Sequence, residues 1–153
     1  MNRKSPDVPV HILLAEDNTG DIRLTQEVFK EERIPSVLHV VQNGDDALAF
    51  LRKQGKFAHA VRPDLILLDL NLPKRSGIEV LQEIKSDRAL ARIPVVVLTT
   101  SKAEEDIAKS YDSYANCFIT KPLDFEKFIS VAASIREFWF RVAELPQRRS
   151  VAS

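Results

Sequence analysis

The sequence predicts a doubly wound α/β sandwich, in which helices cover both faces of a five-stranded parallel sheet. Apolar runs and amphipathic segments alternate five times along the 153 residues. The runs LILLDL and PVVVLTT are continuously apolar up to their polar ends, as is typical of parallel strands buried on both faces. Right-handed crossovers then place the intervening helices on the two sides of the sheet.

Local signals justify each element in turn. Apolar, β-branched runs predict the strands, and apolar residues at helical spacing predict the helices. Ser76 and Glu79 form a capping-box signal at the start of the third helix, and Gly55 is expected to end the second. The predicted strands are 10–16, 36–42, 64–70, 93–100 and 117–122. The predicted helices are 21–32, 45–54, 77–86, 102–115 and 124–145, with a loop over 56–63.

Length and composition describe one ordinary globular domain, with 44% hydrophobic and 29% charged residues. Basic and acidic residues both number 22, so the net charge gives no argument for a nucleic-acid or membrane partner. The single cysteine, Cys117, excludes an internal disulfide and fits a reducing compartment. Because no apolar signal core precedes the first strand, we expect a cytoplasmic protein.

Charged and hydroxyl side chains stand where the predicted strands end. These residues are Glu16, Asp17, Asp69, Thr99, Thr100 and Lys121. The functional crevice of a doubly wound sheet lies outside the carboxyl ends of its strands. We therefore expect these side chains to converge on one crevice.

Three clustered carboxylates repel one another unless a cation joins them. A hard divalent ion such as Mg²⁺ takes oxygen ligands and would do so. Metal-bound Asp69 would remain an anionic nucleophile, and carboxylates can form aspartyl phosphates. Lys121 and the hydroxyl of Thr99 would then stabilise the phosphoryl oxygens. The pattern predicts phosphoryl transfer to Asp69, whose labile acyl phosphate suits a transient mark.

Four motifs, LLAEDN, LILLDLNLPKRSG, PVVVLTTS and CFITKP, together resemble the receiver domain of response regulators in two-component signalling. The resemblance covers about residues 10–140 and implies a flavodoxin-like (βα)5 fold with strand order 2-1-3-4-5. It also implies a phosphoryl group taken from a sensor histidine kinase, with Mg²⁺ or Mn²⁺. The implied division is a flexible tail over 1–9, a receiver domain with an extended C-terminal helix over 10–145, and a C-terminal tail over 146–153.

The resemblance also assigns roles to individual residues. It makes Asp69 the phosphoacceptor and Lys121 the lysine of the site. Thr99 is the switch hydroxyl and Thr100 the lesser candidate, while Phe118 is the aromatic switch on the fifth strand. The implied metal ligands are Glu16, Asp17, Asp69 and the backbone carbonyl of Asn71.

A narrower resemblance concerns small stand-alone regulators paired with bacterial, especially cyanobacterial, phytochromes. It is carried by the acidic EDN start, the stretch GDDALAFLRKQGKFAHAVRPDLILLDLNLP, PVVVLTTS and the long aromatic C-terminal helix. That helix carries three aromatic candidates for a homodimer contact: Phe138, Trp139 and Phe140. The alternative is that one protomer buries them.

Residues at particular positions argue against other functions. A phosphatase of the haloacid-dehalogenase type needs a second acid two residues after its nucleophile, and that position is Asn71. A flavin-binding electron carrier needs a hydroxyl- and glycine-rich loop where this chain has AEDN. A receiver that only binds partners, without phosphorylation, would lack the acids or the lysine. We therefore expect a signalling phosphoacceptor rather than an enzyme.

Overall fold

The computed structural model describes residues 9–33, 35–100, 102–109, 117–121, 126, 129–130, 132–134 and 137. Five parallel strands form one sheet in the order β2-β1-β3-β4-β5, which confirms the predicted fold class. The strands are β1 (Val10–Ala15), β2 (Ser36–Val41), β3 (Leu65–Asp69), β4 (Val95–Thr99) and β5 (Cys117–Thr120). The helices are α1 (Thr19–Glu31), α2 (Gly44–Arg52), α3 (Gly77–Ser86) and α4 (Lys102–Lys109), with a 3-10 turn at Gly55–Phe57.

The described residues of the predicted fifth helix, between 126 and 137, are helical. The dimer candidates Phe138, Trp139 and Phe140 lie outside the described residues, as do residues 1–8 and the predicted C-terminal tail. Over the part of the chain that is described, no helix has the length and apolar character needed to cross a bilayer.

The predicted end of the second helix was wrong. Helix α2 ends at Arg52, and Lys53 takes the left-handed conformation with φ 56°. The N–H of Gln54 then donates to the carbonyl of Ala49 at 2.9 Å, which closes the helix end. Gly55, at φ 58°, instead begins a 3-10 turn that continues into the predicted loop.

The sheet is buried on both faces. Every residue of β3 and β4 is buried, as the continuous apolar runs predicted. Alternate residues of each strand pack on opposite sides, because side chains alternate across a sheet. One core, under α2 and α3, includes Leu13, Leu68 and Val97. The other, on the α1 side, includes Leu14 and Leu67.

The start of α3 is pressed against the end of β3. Ser76 and Glu79 form the predicted capping box, each side chain accepting from the other's backbone N–H at 3.2 Å. A Cβ atom on Gly77 would lie 2.3 Å from the carbonyl oxygen of Asp69. Only glycine therefore allows this approach, which fixes the backbone at Asp69.

Candidate functional site

Three carboxylates meet at the carboxyl edge of the sheet. Glu16 and Asp17 follow β1, and Asp69 is the last residue of β3. One carboxylate oxygen from each lies within 4.8 Å of the others. Glu16 is 0% exposed and Asp69 is 2% exposed, whereas Asp17 is exposed. Two of the three charges are therefore shielded from water and act strongly on each other.

Lys121 brings a positive charge into this cluster. Its Nζ donates to Glu16 Oε2 at 2.9 Å and to Asp69 Oδ2 at 3.2 Å. Glu16 Oε1 lies 2.7 Å from the same Nζ but is not aligned for a hydrogen bond, so this contact is electrostatic. The backbone N–H of Lys121 donates to the carbonyl of Thr99 at 2.6 Å, which anchors the lysine beside β4.

Burial and neighbouring charges both shift the pKa values of Glu16 and Lys121. Burial raises the pKa of Glu16 to about 7, and the charge of Asp69 adds to this, although the hydrogen bond from Lys121 opposes it. Burial alone would lower the pKa of Lys121, but hydrogen bonds to Glu16 and Asp21 and the charge of Asp69 raise it above its ordinary value. Lys121 is therefore held in its cationic form, and one cation does not balance the carboxylates around it.

Asn71 ties the phosphoacceptor candidate to the neighbouring loop. Its backbone N–H donates to Asp69 Oδ1 at 2.9 Å, which orients that carboxylate. Its side-chain Nδ2 donates to Thr100 Oγ1 at 2.7 Å. The loops after β3 and β4 are thus joined beside Asp69. Thr99, the last residue of β4, is completely buried.

The structure places the other predicted switch residue, Phe118, in β5. It is half-buried and packs against the core under α2 and α3. Its assigned switching role stays a prediction.

One carboxylate partner of Lys121 was missed from the sequence. Asp21 Oδ2 lies 2.9 Å from Lys121 Nζ. Asp21 is the third residue of α1, and its N–H donates to the side chain of the N-cap residue Asn18. The spacing of Asn18 and Asp21 is a helix-start signal that directs attention to this turn. It does not reveal the contact with Lys121.

The donor set fits a hard divalent cation. All three clustered side chains offer carboxylate oxygens, which Mg²⁺ and Mn²⁺ prefer. A cation there would offset the repulsion between Glu16 and Asp69 and favour the ionised form of Glu16. These residues therefore suit a metal-dependent phosphoryl-transfer site.

Residues 12–133 match the response regulator receiver domain, and the chain belongs to that family. The match covers the sheet and the carboxylates and lysine at its edge. The family consists of signalling proteins of two-component systems.

The chain is also similar to individual members of the family. It is 47% identical over 138 residues to the response regulator Rcp1 of Synechocystis sp., covering 90% of this chain and 94% of Rcp1. The crystal structure of the phosphorylated cyanobacterial phytochrome response regulator RcpA is 51% identical, with TM-score 0.75, covering 87% and 95% of the two chains. The Mn²⁺-bound form of Rcp1 is 48% identical, with TM-score 0.74, covering 86% and 94%.

Proposed function

We propose that this protein is a receiver that accepts a phosphoryl group on Asp69 from a sensor histidine kinase, with Mg²⁺ or Mn²⁺. The observation that carries the proposal is the position of Asp69. It is buried, lies 3.2 Å from the ammonium of Lys121, and shares a carboxylate cluster with Glu16 and Asp17.

The proposed reaction is an in-line displacement at phosphorus. A carboxylate oxygen of Asp69 attacks, a phosphorus–oxygen bond forms, and the phosphorus–nitrogen bond to the kinase histidine breaks. The electron pair of that bond returns to the imidazole. Lys121 stabilises the negative charge on the phosphoryl oxygens, and the hydroxyl of Thr99 donates a further hydrogen bond.

Glu16, Asp17, Asp69 and the backbone carbonyl of Asn71 would hold the divalent cation, which supplies positive charge opposite the phosphoryl oxygens. Two groups of the protein orient the carboxylate of Asp69. Asn71 holds one oxygen of Asp69 through its N–H, while Lys121 contacts the other. Thr100, on the loop after β4, accepts a hydrogen bond from the side chain of Asn71.

A signalling role is favoured over turnover of a substrate. The position where a haloacid-dehalogenase phosphatase has its acid is occupied by Asn71, whose amide donates to Thr100. An amide is not a general acid, so nothing at this position protonates a leaving group. The acyl phosphate of Asp69 is itself the signal. Thr99 and Phe118 then change the surface through which the protein contacts a partner.

The relatives suggest the partner. RcpA is a cyanobacterial phytochrome response regulator, and this chain covers 95% of it at 51% identity. We therefore propose a phytochrome-type histidine kinase as the phosphodonor, and a cytoplasmic location. Homodimerisation through Phe138, Trp139 and Phe140 remains part of the proposal, supported by the aromatic content of that segment.

Incubation with acetyl phosphate and Mg²⁺, followed by intact-mass spectrometry, tests the central proposal. Wild type is expected to gain one phosphoryl group, and a chelator is expected to prevent the gain. Asp69→Asn should gain none, whereas Asp106→Asn, an exposed matched change on α4, should behave as wild type. An equal gain in Asp69→Asn would refute the assignment.

The partner proposals need separate measurements. Phosphotransfer from a phytochrome kinase is expected to be faster than from an unrelated sensor kinase, and equal rates would contradict the phytochrome assignment. Sedimentation should show a dimer for wild type and a monomer for Phe138→Ala/Phe140→Ala. Two identical monomers would eliminate the dimer proposal.

A further inference from the structure

Lys121 has a carboxylate partner that the proposed phosphoryl chemistry does not use. Its Nζ lies 2.9 Å from Asp21 Oδ2, compared with 3.2 Å from Asp69 Oδ2. An ammonium has three N–H donors, and Glu16, Asp21 and Asp69 together present three carboxylates to it. The phosphoacceptor therefore shares its lysine with a residue of α1.

Asp21 is held firmly in the first turn of α1. Its N–H donates to Asn18 Oδ1 at 2.9 Å, and its carbonyl accepts from the hydroxyl of Thr25 at 2.8 Å. The N–H of Asn18 in turn donates to Glu16 Oε2 at 3.1 Å. Because the backbone is already ordered, the ion pair with Lys121 requires little additional ordering of the chain.

Asp21 differs from the other partners of Lys121 in exposure and in its place in the site. Its side chain is 23% exposed, whereas those of Glu16 and Asp69 are 0% and 2% exposed. Asp17 joins those two in the carboxylate cluster identified within the described residues, and Asp21 does not belong to it. Water can replace the contact between Lys121 and Asp21, so this is the contact that Lys121 loses at least cost.

Building on the proposed phosphorylation of Asp69, we propose that Asp21 is a positioning residue that draws Lys121 toward α1 and restrains its contact with the phosphoryl group. Asn at this position keeps the size and an oxygen acceptor but removes the charge. Lys121, already hydrogen-bonded to Asp69, is then freer to contact the phosphoryl group. A partly exposed ion pair of this kind corresponds to roughly a fivefold change in rate.

The test compares wild type with Asp21→Asn, Asp21→Glu and Glu27→Gln. Glu27 is exposed on the same helix, so its change removes one charge without touching Lys121. The first readout is acetylation of Lys121 by an N-hydroxysuccinimide ester without phosphodonor, quantified by peptide mass spectrometry. The second is the rate of phosphorylation by acetyl phosphate with Mg²⁺. Asp21→Asn should raise both the labelling of Lys121 and the phosphorylation rate by roughly fivefold. Asp21→Glu should give wild-type values, and Glu27→Gln should change neither quantity.

The outcomes separate this inference from the proposed function. Unchanged labelling of Lys121 in Asp21→Asn overturns the inference, because the labelling needs no phosphodonor. Raised labelling with unchanged or slower phosphorylation also overturns the inference, since release of Lys121 from Asp21 would then not speed the reaction. If wild type acquires no phosphoryl group, the proposed function fails and the positioning role fails with it.

Discussion

The interior of the sheet and its carboxyl edge are held together by different forces. Both occur in β3, where Leu67 and Leu68 are 0% exposed and the next residue, Asp69, is 2% exposed. The leucines contact apolar side chains on both faces. Asp69 faces carboxylates and one ammonium. The interior therefore stabilises the fold. The edge instead holds carboxylates whose mutual repulsion Lys121 offsets, and these carboxylates serve the proposed phosphoryl transfer.

Removal of Lys121 should have the largest effect on stability. Lys121→Met leaves Glu16 and Asp69 buried together without their cation, and loss of one partner from a buried charge pair costs about 3–5 kcal/mol. Urea unfolding in the presence of a chelator measures this, and Mg²⁺ should restore part of the loss. The matched variant Asp69→Asn leaves Lys121 with Glu16 and Asp21, so its loss should be below about 1 kcal/mol. Equal stability of Lys121→Met and wild type would contradict this account of the edge.

Truncation in the interior should be independent of metal. Leu68→Ala removes a fully buried side chain from the core under α2 and α3, and such a change costs about 2–5 kcal/mol. Urea unfolding should give the same loss with Mg²⁺ and with a chelator, because the removed side chain packs among apolar residues of that core. A loss of stability that appears only without Mg²⁺ would mean that the sheet interior and the carboxyl edge do not contribute independently to stability.

Loss of the α3 cap should have an intermediate effect. Ser76→Ala removes the side chain that accepts from the N–H of Glu79, at a cost of about 1 kcal/mol. Thermal unfolding measures the loss. Since Gly77 next to it packs against the carbonyl of Asp69, the variant should also phosphorylate more slowly. Unchanged stability would show that the capping box does not hold this helix end.

The smallest effect concerns a half-buried histidine pair that joins β1 to the edge strand β2. His11 Nδ1 and His39 Nε2 are 3.0 Å apart, and burial, together with the charge of His11, lowers the pKa of His39 below 6.5. The unfolded chain then binds a proton more readily, so stability is full above that value and falls as the pH drops through the lowered pKa. Between about pH 7 and about pH 5, His39→Gln should lose less stability than wild type, by under about 1 kcal/mol. Identical pH profiles in thermal unfolding would contradict this.

Much of the fold was predictable because its signals are local. The apolar run of β3 and the capping box at Ser76 each lie within a few residues, and both were confirmed. The end of α2 was not predictable in the same way. Lys53 adopts a left-handed conformation that usually belongs to glycine, and it does so because the following N–H closes the helix end.

In the candidate site, too, the residues whose positions follow from local signals were predictable and the contacts between distant segments were not. Glu16, Asp69 and Lys121 directly follow or end strands, so the topology alone brings them to one edge. Asp21 lies on a helix, and its contact with Lys121 depends on where α1 lies relative to the residue that follows β5, which no short stretch of sequence encodes. The bond from Asn71 to Thr100 joins two loops 29 residues apart and was not predictable for the same reason.

The most direct test of the central claim is to locate the phosphoryl group. After reaction with acetyl phosphate and Mg²⁺, borohydride reduces an aspartyl phosphate to homoserine, and tandem mass spectrometry of the peptides then identifies the modified residue. The account predicts homoserine at position 69 and at neither Glu16 nor Asp17. Reduction at either of those acids, giving homoserine at position 17 or 5-hydroxynorvaline at position 16, or no reduced residue anywhere in a protein that has gained a phosphoryl group, would contradict it.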